Sequence, residues 1–316
     1  MTRRMRIVRV WRQSHAAIGQ ADSMRIGVCI IPTDPWPVAV AQARHVEALG
    51  FDHLWTYDHL SWQHYRDRAW FSALPWLTGM AGVTTTIRLG TMVCSPNFRE
   101  PLTLAKDAIA LDHISGGRFV LGIGAGGTGW DATVYGTQPL PAPARSERFG
   151  EMVKALDGLL THEQFSFRGD HYVINNARTA PGSHQAPRLP LAVAATGPKG
   201  LEFAARYGDA WVTYGAPAAD AGPSDIERAV LEQTTRLDDA CAAVERDPQT
   251  IDRILLSGVG RDRPLASVDA FADHVGRFTA LGITDVVVHH PRADDPAWDD
   301  PPDILDQIAA ADIFEP

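Results

Sequence analysis

In the stretch "YDHLSWQHYRDRAW", Asp58 and His59 stand side by side, followed by Trp62 and His64. Imidazole titrates near neutral pH, so His59 is a candidate proton donor or acceptor, Asp58 the candidate that holds its ring, and Trp62 an aromatic wall. A solvated loop with aromatic anchors is the other reading of these residues. Further on, "ATGPKGLEF" sets Thr196, Gly197, Pro198, Lys199 and Gly200 at the start of a helical run. A hydroxyl, unpaired first-turn amides, a positive helix end and one of only three lysines together suit a phosphate. Thr213, past the next strand, offers a second hydroxyl, and an ordinary strand-to-helix turn is the plainer alternative.

A third stretch, "GGRFVLGIGAGGTGWD", fits G-x-G-x-x-G twice, at Gly122 to Gly127 and at Gly124 to Gly129. A dinucleotide fingerprint should follow the first strand and be answered by an acid about 20 residues on, at the end of the next strand. Here the acids at that distance, Glu147 and Glu151, fall in the helical run "RSERFGEMVKALDGLL". The glycines therefore read as a strand end that flattens against a ligand. His289 and His290 close a later strand, but no H-x-H follows the first strand, so no metal site is expected. The absence of G-x-S-x-G removes the hydrolase nucleophile elbow. Cys29, Cys94 and Cys241 are too widely spaced for a disulfide framework or zinc site, which makes a reduced cytoplasm the expected compartment.

The elements that position these residues alternate. Strand-like runs begin near Arg25, Phe51, Ile87, Arg118, Leu189, Asp209, Ile251 and Ile283, and most are apolar throughout, as strands buried on both faces are. Between them run apolar stripes at helical spacing, such as Ala39, Ala43, Val46 and Leu49. Gly50, Gly116, Gly208 and Gly282 are placed to end helices in the left-handed conformation, and Pro37, Pro101 and Pro198 to begin them. Eight such units predict one α/β domain, a (β/α)8 TIM barrel over residues 24 to 316. Its active site would lie in the loops at the strands' carboxyl ends. Residues 162 to 188 form a long insertion before the fifth barrel strand, expected as a hairpin across Gly169 and then a strap over the barrel mouth.

With 45% hydrophobic and 21% charged residues, the composition is that of a globular protein. The net charge of −9 excludes a polyanion-binding surface, and no apolar run is long enough for a spanning helix, so neither nucleic acid nor membrane is expected as a partner. Residues 1 to 23 carry five Arg against one Asp and no apolar period. They read as a disordered leader or a start placed too early.

The blocks "LGTMVCSPNFREPLTLAKDAIALDHISGGRFVLGIGAG" and "ATGPKGLEFAARYGDAWVTYG" resemble the luciferase-like monooxygenase superfamily, and its F420-dependent oxidoreductase branch more closely. The resemblance covers residues 24 to about 291. It implies a hydride-transferring enzyme that binds the deazaflavin F420, or alternatively FMN, and acts on a small organic substrate. Asp58 and His59 match a pair at the cofactor's reactive face. Met92 and Val93 match a strand-three bulge, often a cis peptide, that props the ring, and Ser95 matches a ring-contacting hydroxyl. Gly124, Ala125, Gly126 and Gly127 match the loop along the cofactor's side chain, and Thr196 to Gly200 the phosphate turn. Trp62, His64 and Trp130 would shape the substrate space. The related F420-dependent glucose-phosphate dehydrogenases carry Glu at the position of Gly127, a departure that argues against a sugar phosphate. A homodimer is expected, with a flavin reductase partner if the cofactor is FMN. A catalytically silent flavin-binding barrel is the alternative of another class.

Overall fold

The computed structural model describes residues 24–216, 221–259, 261–293 and 295–311, apart from the side chain of His64. The expected leader over residues 1 to 23 lies outside the described residues. Eight parallel strands close into a barrel: β1 (Arg25–Cys29), β2 (His53–Thr56), β3 (Arg88–Thr91), β4 (Phe119–Gly124), β7 (Leu191–Ala194), β8 (Ala210–Thr213), β9 (Asp252–Leu256) and β10 (Asp285–His289). Around the ring the order is β1-β10-β9-β8-β7-β4-β3-β2. Each strand starts within two residues of its expected position. An antiparallel hairpin, β5 (Gln164–Arg168) with β6 (Val173–Arg178), interrupts the alternation where the insertion was expected.

Outside the strands lie α1 (Trp36–Leu49), α2 (Ala73–Val83), α3 (Pro101–Ser115), α4 (Ala142–Thr161), α5 (Pro198–Tyr207), α6 (Pro223–Ala242), α7 (Val268–Ala280) and α8 (Ile304–Ala310). Prolines open α1, α3 and α5 as expected, because a missing N–H costs nothing in the first turn. Among the described residues no helix is long and apolar enough to cross a membrane. Gly50, Gly116 and Gly282 take φ of +85°, +67° and +80°. Gly208 does not: its φ is −78°, and the reason for glycine there is close approach. A Cβ on it would sit 2.8 Å from the Ala204 carbonyl and 2.9 Å from that of Ala210.

Two cores result. One lies between strands and helices, and a smaller one fills the barrel with Trp55, Val120, Ala192, Ile254 and Val287. At the amino end, Arg25 pairs with Asp285 through two 2.6 Å bonds, and His53 Nε2 lies 3.1 Å from the same carboxyl group. Burial alone would raise Asp285, but Arg25 and His53 hold it well below the usual carboxylate range. This buried charged plug sits at the end opposite the loops that carry the candidate residues.

The insertion is not a strap over the mouth. Glu151 of α4 accepts hydrogen bonds from the amides of Asp170, His171 and Tyr172, pinning the hairpin turn to the outside of the helical layer. Its return leg is held by Asp112 near the end of α3, which accepts from the amides of His184 and Gln185. Gln185 Nε2 donates to the carbonyl of Phe119, the first residue of β4. That segment therefore closes the amino end of the barrel.

Candidate active site

The strands' carboxyl ends surround a cavity of about 760 Å³. Its floor is made by a break in β3. After Thr91 the chain bulges through a cis Met92–Val93 peptide, then rejoins β4 where Cys94 N donates to the Gly122 carbonyl at 2.8 Å. Met92, Val93 and the buried Ser95 all line the cavity. The glycines of β4 make room for this bulge. A Cβ at Gly122 would lie 1.8 Å from the Thr91 carbonyl oxygen, and one at Gly124 would lie 2.7 Å from Val93 Cγ2. Gly126 is left-handed, at φ +75°. Asn97 fastens the loop by donating from Nδ2 to the Gly127 carbonyl at 3.1 Å. At Gly127 itself a Cβ would meet almost nothing.

The tip of β2 brings Tyr57, Asp58, His59 and Trp62 to the wall. Asp58 does not hold His59. Its buried carboxylate makes a bidentate pair with Arg99, at 2.9 and 2.6 Å, and so fixes the β3–α3 loop. The partner of His59 is Asp131, with Nδ1 2.6 Å from Oδ2. The other carboxylate oxygen of Asp131 accepts the Leu60 amide at 3.0 Å. No described residue hydrogen-bonds the imidazole through Nε2. Trp62 stacks on the ring with centroids 5.9 Å apart, and Trp298 stacks on Trp62 at 5.8 Å.

Tyr57 leads to a second histidine. Its hydroxyl lies 2.7 Å from His289 Nε2, while His289 Nδ1 lies 3.0 Å from the Ser257 carbonyl. A carbonyl only accepts, so Nδ1 carries the hydrogen and the bare Nε2 accepts from Tyr57. Burial pushes His289 down to about 4, consistent with this neutral tautomer. Burial likewise pushes Tyr57 well above the ordinary phenol value.

At the other side, Thr196, Gly197, Pro198, Lys199 and Gly200 line the cavity where α5 begins. Gly197 at the N-cap has no side chain to occupy the first-turn amides. The Lys199 side chain is 73% exposed and lies 3.9 Å from Glu202. Arg145 and Ser146 of α4 join this wall. Two expected residues do not. Thr213 is buried away from the cavity, donating to Gln233 of α6 at 2.5 Å and accepting the Gly215 amide at 2.9 Å, while its neighbours Val212 and Tyr214 face the ligand space. Period-two alternation is the reason. Trp130 is 43% exposed outside the cavity, with the Arg66 guanidinium 3.2 Å above its ring. The side chain of His64 lies outside the described residues. Among those residues no group of three His, Cys, Asp or Glu is arranged to hold a metal ion.

The model of the luciferase-like monooxygenase family matches residues 11–254. The chain belongs to that family. An F420-dependent glucose-6-phosphate dehydrogenase of Amycolatopsis mediterranei (strain U-32) is 29% identical over 227 residues, covering 71% of this chain and 65% of the dehydrogenase. The chain thus spans just under two thirds of that relative's length. A 5,10-methylenetetrahydromethanopterin reductase of Methanolobus tindarius is 30% identical over 279 residues, 86% of this chain and 76% of the reductase. Among solved structures, an F420-dependent secondary alcohol dehydrogenase in complex with an F420–acetone adduct shares the fold. It has a TM-score of 0.77 at 18% identity, over 93% of this chain and 100% of the other.

Within this luciferase-like barrel, sequence reasoning missed Asp131, Arg99, Asn97, Tyr57 and Arg145. Asp131 was visible as the last residue of "GTGWD", and an acid in a glycine-rich loop at a barrel mouth was the signal available. Nothing local marks it as the partner of a residue 72 positions away.

Proposed function

We propose that the protein is an F420-dependent oxidoreductase that transfers a hydride between the deazaflavin and a neutral, largely apolar organic substrate. The observation that carries this reading is the cavity itself. A bulged peptide forms its floor, a loop lacking side chains at Gly124, Gly126 and Gly127 forms one wall, and His59 faces it with Nε2 uncommitted. These features fit a flat ring system with a phosphate-bearing tail, and the relatives named for F420 support the same choice. When bound, the deazaflavin supplies the carbon that gives or takes the hydride.

The chain's own residues do the rest. First-turn amides of α5, with Thr196, bind the phosphate, and Lys199 and Arg145 add positive charge at that wall. Met92 and Val93 support the ring from behind. His59 holds or delivers the proton that accompanies the hydride, at Nε2. Tyr57, Trp62, Leu256 and Val259 line the opposite arc and exclude water. Arg145 and Lys199 are the only cations among the described lining residues, and both sit on the β4 and β7 side. Apart from His59, no described residue at the substrate end could carry a positive charge to pair with a phosphate or carboxylate, so burying such a group there would be costly.

The test is a fluorescence titration of the cofactor-free protein with F420 and with FMN. F420 binding at least tenfold tighter is expected, and tighter FMN binding would overturn the choice. A monooxygenase reading, with FMN as its cofactor, keeps one supporting observation, 34% identity over 179 residues, 46% of the relative, to a 4-hydroxyprotoasukamycin monooxygenase of Streptomyces nodosus subsp. asukaensis, whose name gives no cofactor. It would bring oxygen and a flavin reductase partner. A homodimer in the cytoplasm completes the proposal, in keeping with three free, buried cysteines.

A further inference from the structure

Asp131 sits in the short turn Trp130–Ala132, inside the long connection from β4 to α4, and is only 8% exposed. Its two oxygens grip the same neighbouring loop at two points: Oδ2 the imidazole Nδ1 of His59, and Oδ1 the main-chain N–H of Leu60. A carboxylate held this way against the backbone cannot rotate without losing one bond. An ionised carboxylate offers only acceptors, so the hydrogen it faces must reside on Nδ1. The exchangeable site of the ring is then Nε2, the atom that no described residue hydrogen-bonds.

No other described carboxylate lies within bonding distance of His59, and the adjacent Asp58 is spent on Arg99. Arg66 laid over Trp130 ties the two loops together a second time.

We infer that Asp131 is the positioning residue of the site: it fixes the His59 ring orientation and its Nδ1–H tautomer, so that Nε2 faces the substrate as the proton-carrying atom. The inference rests on the hydride-transfer reading for its kinetic consequence but not for its structural one. Asp131 shares the cavity wall but acts through His59, to which its Oδ2 is committed. Losing it should therefore slow the chemical step while leaving the pocket able to bind.

Two measurements test this. The first is nitrogen-15 NMR of the histidine rings in the cofactor-free protein, with the His59 signal assigned by its loss in His59→Gln. Wild type should show Nδ1 protonated and Nε2 bare in the neutral ring. Asp131→Ala should shift the signal toward the Nε2–H tautomer that free imidazole side chains favour. An unchanged tautomer in Asp131→Ala would overturn the inference.

The second is kinetic. Asp131→Asn keeps the size and one acceptor, and should lower kcat by about 10- to 100-fold with KM and cofactor Kd changed less than threefold. Asp131→Ala should lose more, and a kcat within threefold of wild type in a folded Asp131→Ala variant would also overturn it. Because the NMR readout needs no turnover, a tautomer shift without any F420-dependent activity would retain the positioning role and reject the functional reading instead. If Asp131→Ala does not fold, the Asn variant carries both measurements.

Discussion

Two histidine–aspartate pairs of this barrel, His59 with Asp131 and His274 with Asp262, invite comparison, and of the two only His59 faces the cavity. His59 Nδ1 is 2.6 Å from Asp131, and its side chain is 30% exposed beside the 760 Å³ cavity. His274 Nδ1 is 2.9 Å from Asp262, its side chain is 1% exposed, and its Nε2 lies 2.8 Å from the Ser257 hydroxyl. The second set has the order of groups of a serine hydrolase triad, yet Ser257 is buried and the nearest void holds only about 10 Å³. Burial would raise Asp262, but His274 and Arg277 hold it below the usual carboxylate range. What separates a catalytic candidate from a structural pair is therefore the far ring nitrogen. In His59 it is uncommitted and reachable, whereas in His274 it is already bonded and sealed.

The sharpest way to break this comparison is to truncate both rings. His59→Ala should lower kcat at least about 100-fold, within the usual reach of a general acid or base, while cofactor Kd stays within a few-fold and the thermal midpoint barely moves. His274→Ala should do the reverse. It leaves Ser257 buried without its ring partner and Asp262 with Arg277 alone, at a cost of about 2–4 kcal/mol, so the midpoint falls by several degrees while the folded fraction keeps its kcat. Normal turnover by His59→Ala would reduce that residue to a wall of the pocket.

Next in size is the phosphate wall. Thr196→Val combined with Lys199→Ala should weaken cofactor binding more than about tenfold, since charge-assisted hydrogen bonds are worth roughly 1.5–3 kcal/mol. Thr213→Val supplies the contrast. Its hydroxyl serves Gln233 and Gly215, so binding should be unchanged and stability lower by about 1 kcal/mol. Equal losses of affinity in the two variants would show that Thr196 acts only through the fold.

A smaller effect comes from His289, the buried neutral ring under Tyr57. Its folded value near 4 lies below the ordinary 6.5, so between these values the unfolded chain binds a proton that the folded chain refuses. Stability is therefore full above pH 6.5 and falls as pH drops toward 4, by up to about 3 kcal/mol. His290 is shifted in the same direction by burial. Denaturant midpoints measured across that window should decline, and His289→Gln should flatten the slope. The smallest expected effect is none at all: a fluorophosphonate should leave Ser257 unlabelled, and labelling would mean that the sealed set opens.

Much of the architecture was readable without coordinates because its rules are local. Strand starts, proline-opened helices and left-handed Gly50, Gly116 and Gly282 each depend on a few neighbouring residues and on backbone sterics. Family resemblance added the bulge at Met92–Val93, whereas the turn at Thr196 to Gly200 was legible from its own residue types. Local rules failed where two distant segments meet. Gly208 occupies a helix-ending position, yet it is glycine because the Ala204 and Ala210 carbonyls crowd it. Thr213 sits at a strand end beside the mouth; alternation sets it opposite Val212 and Tyr214, but only the barrel's closure decided which of those two faces meets the cavity.

The sequence by itself determined that eight strand–helix units alternate, that their carboxyl-end loops hold an imidazole, a glycine wall and a helix start, and that no glycine loop here answers to a dinucleotide fold. The tertiary structure decided the pairings: Asp58 with Arg99, Asp131 with His59, and the insertion with the amino end of the barrel. A carboxylate takes whichever donor lies within about 3 Å, and that choice belongs to loops made neighbours by ring closure, not to neighbours along the chain.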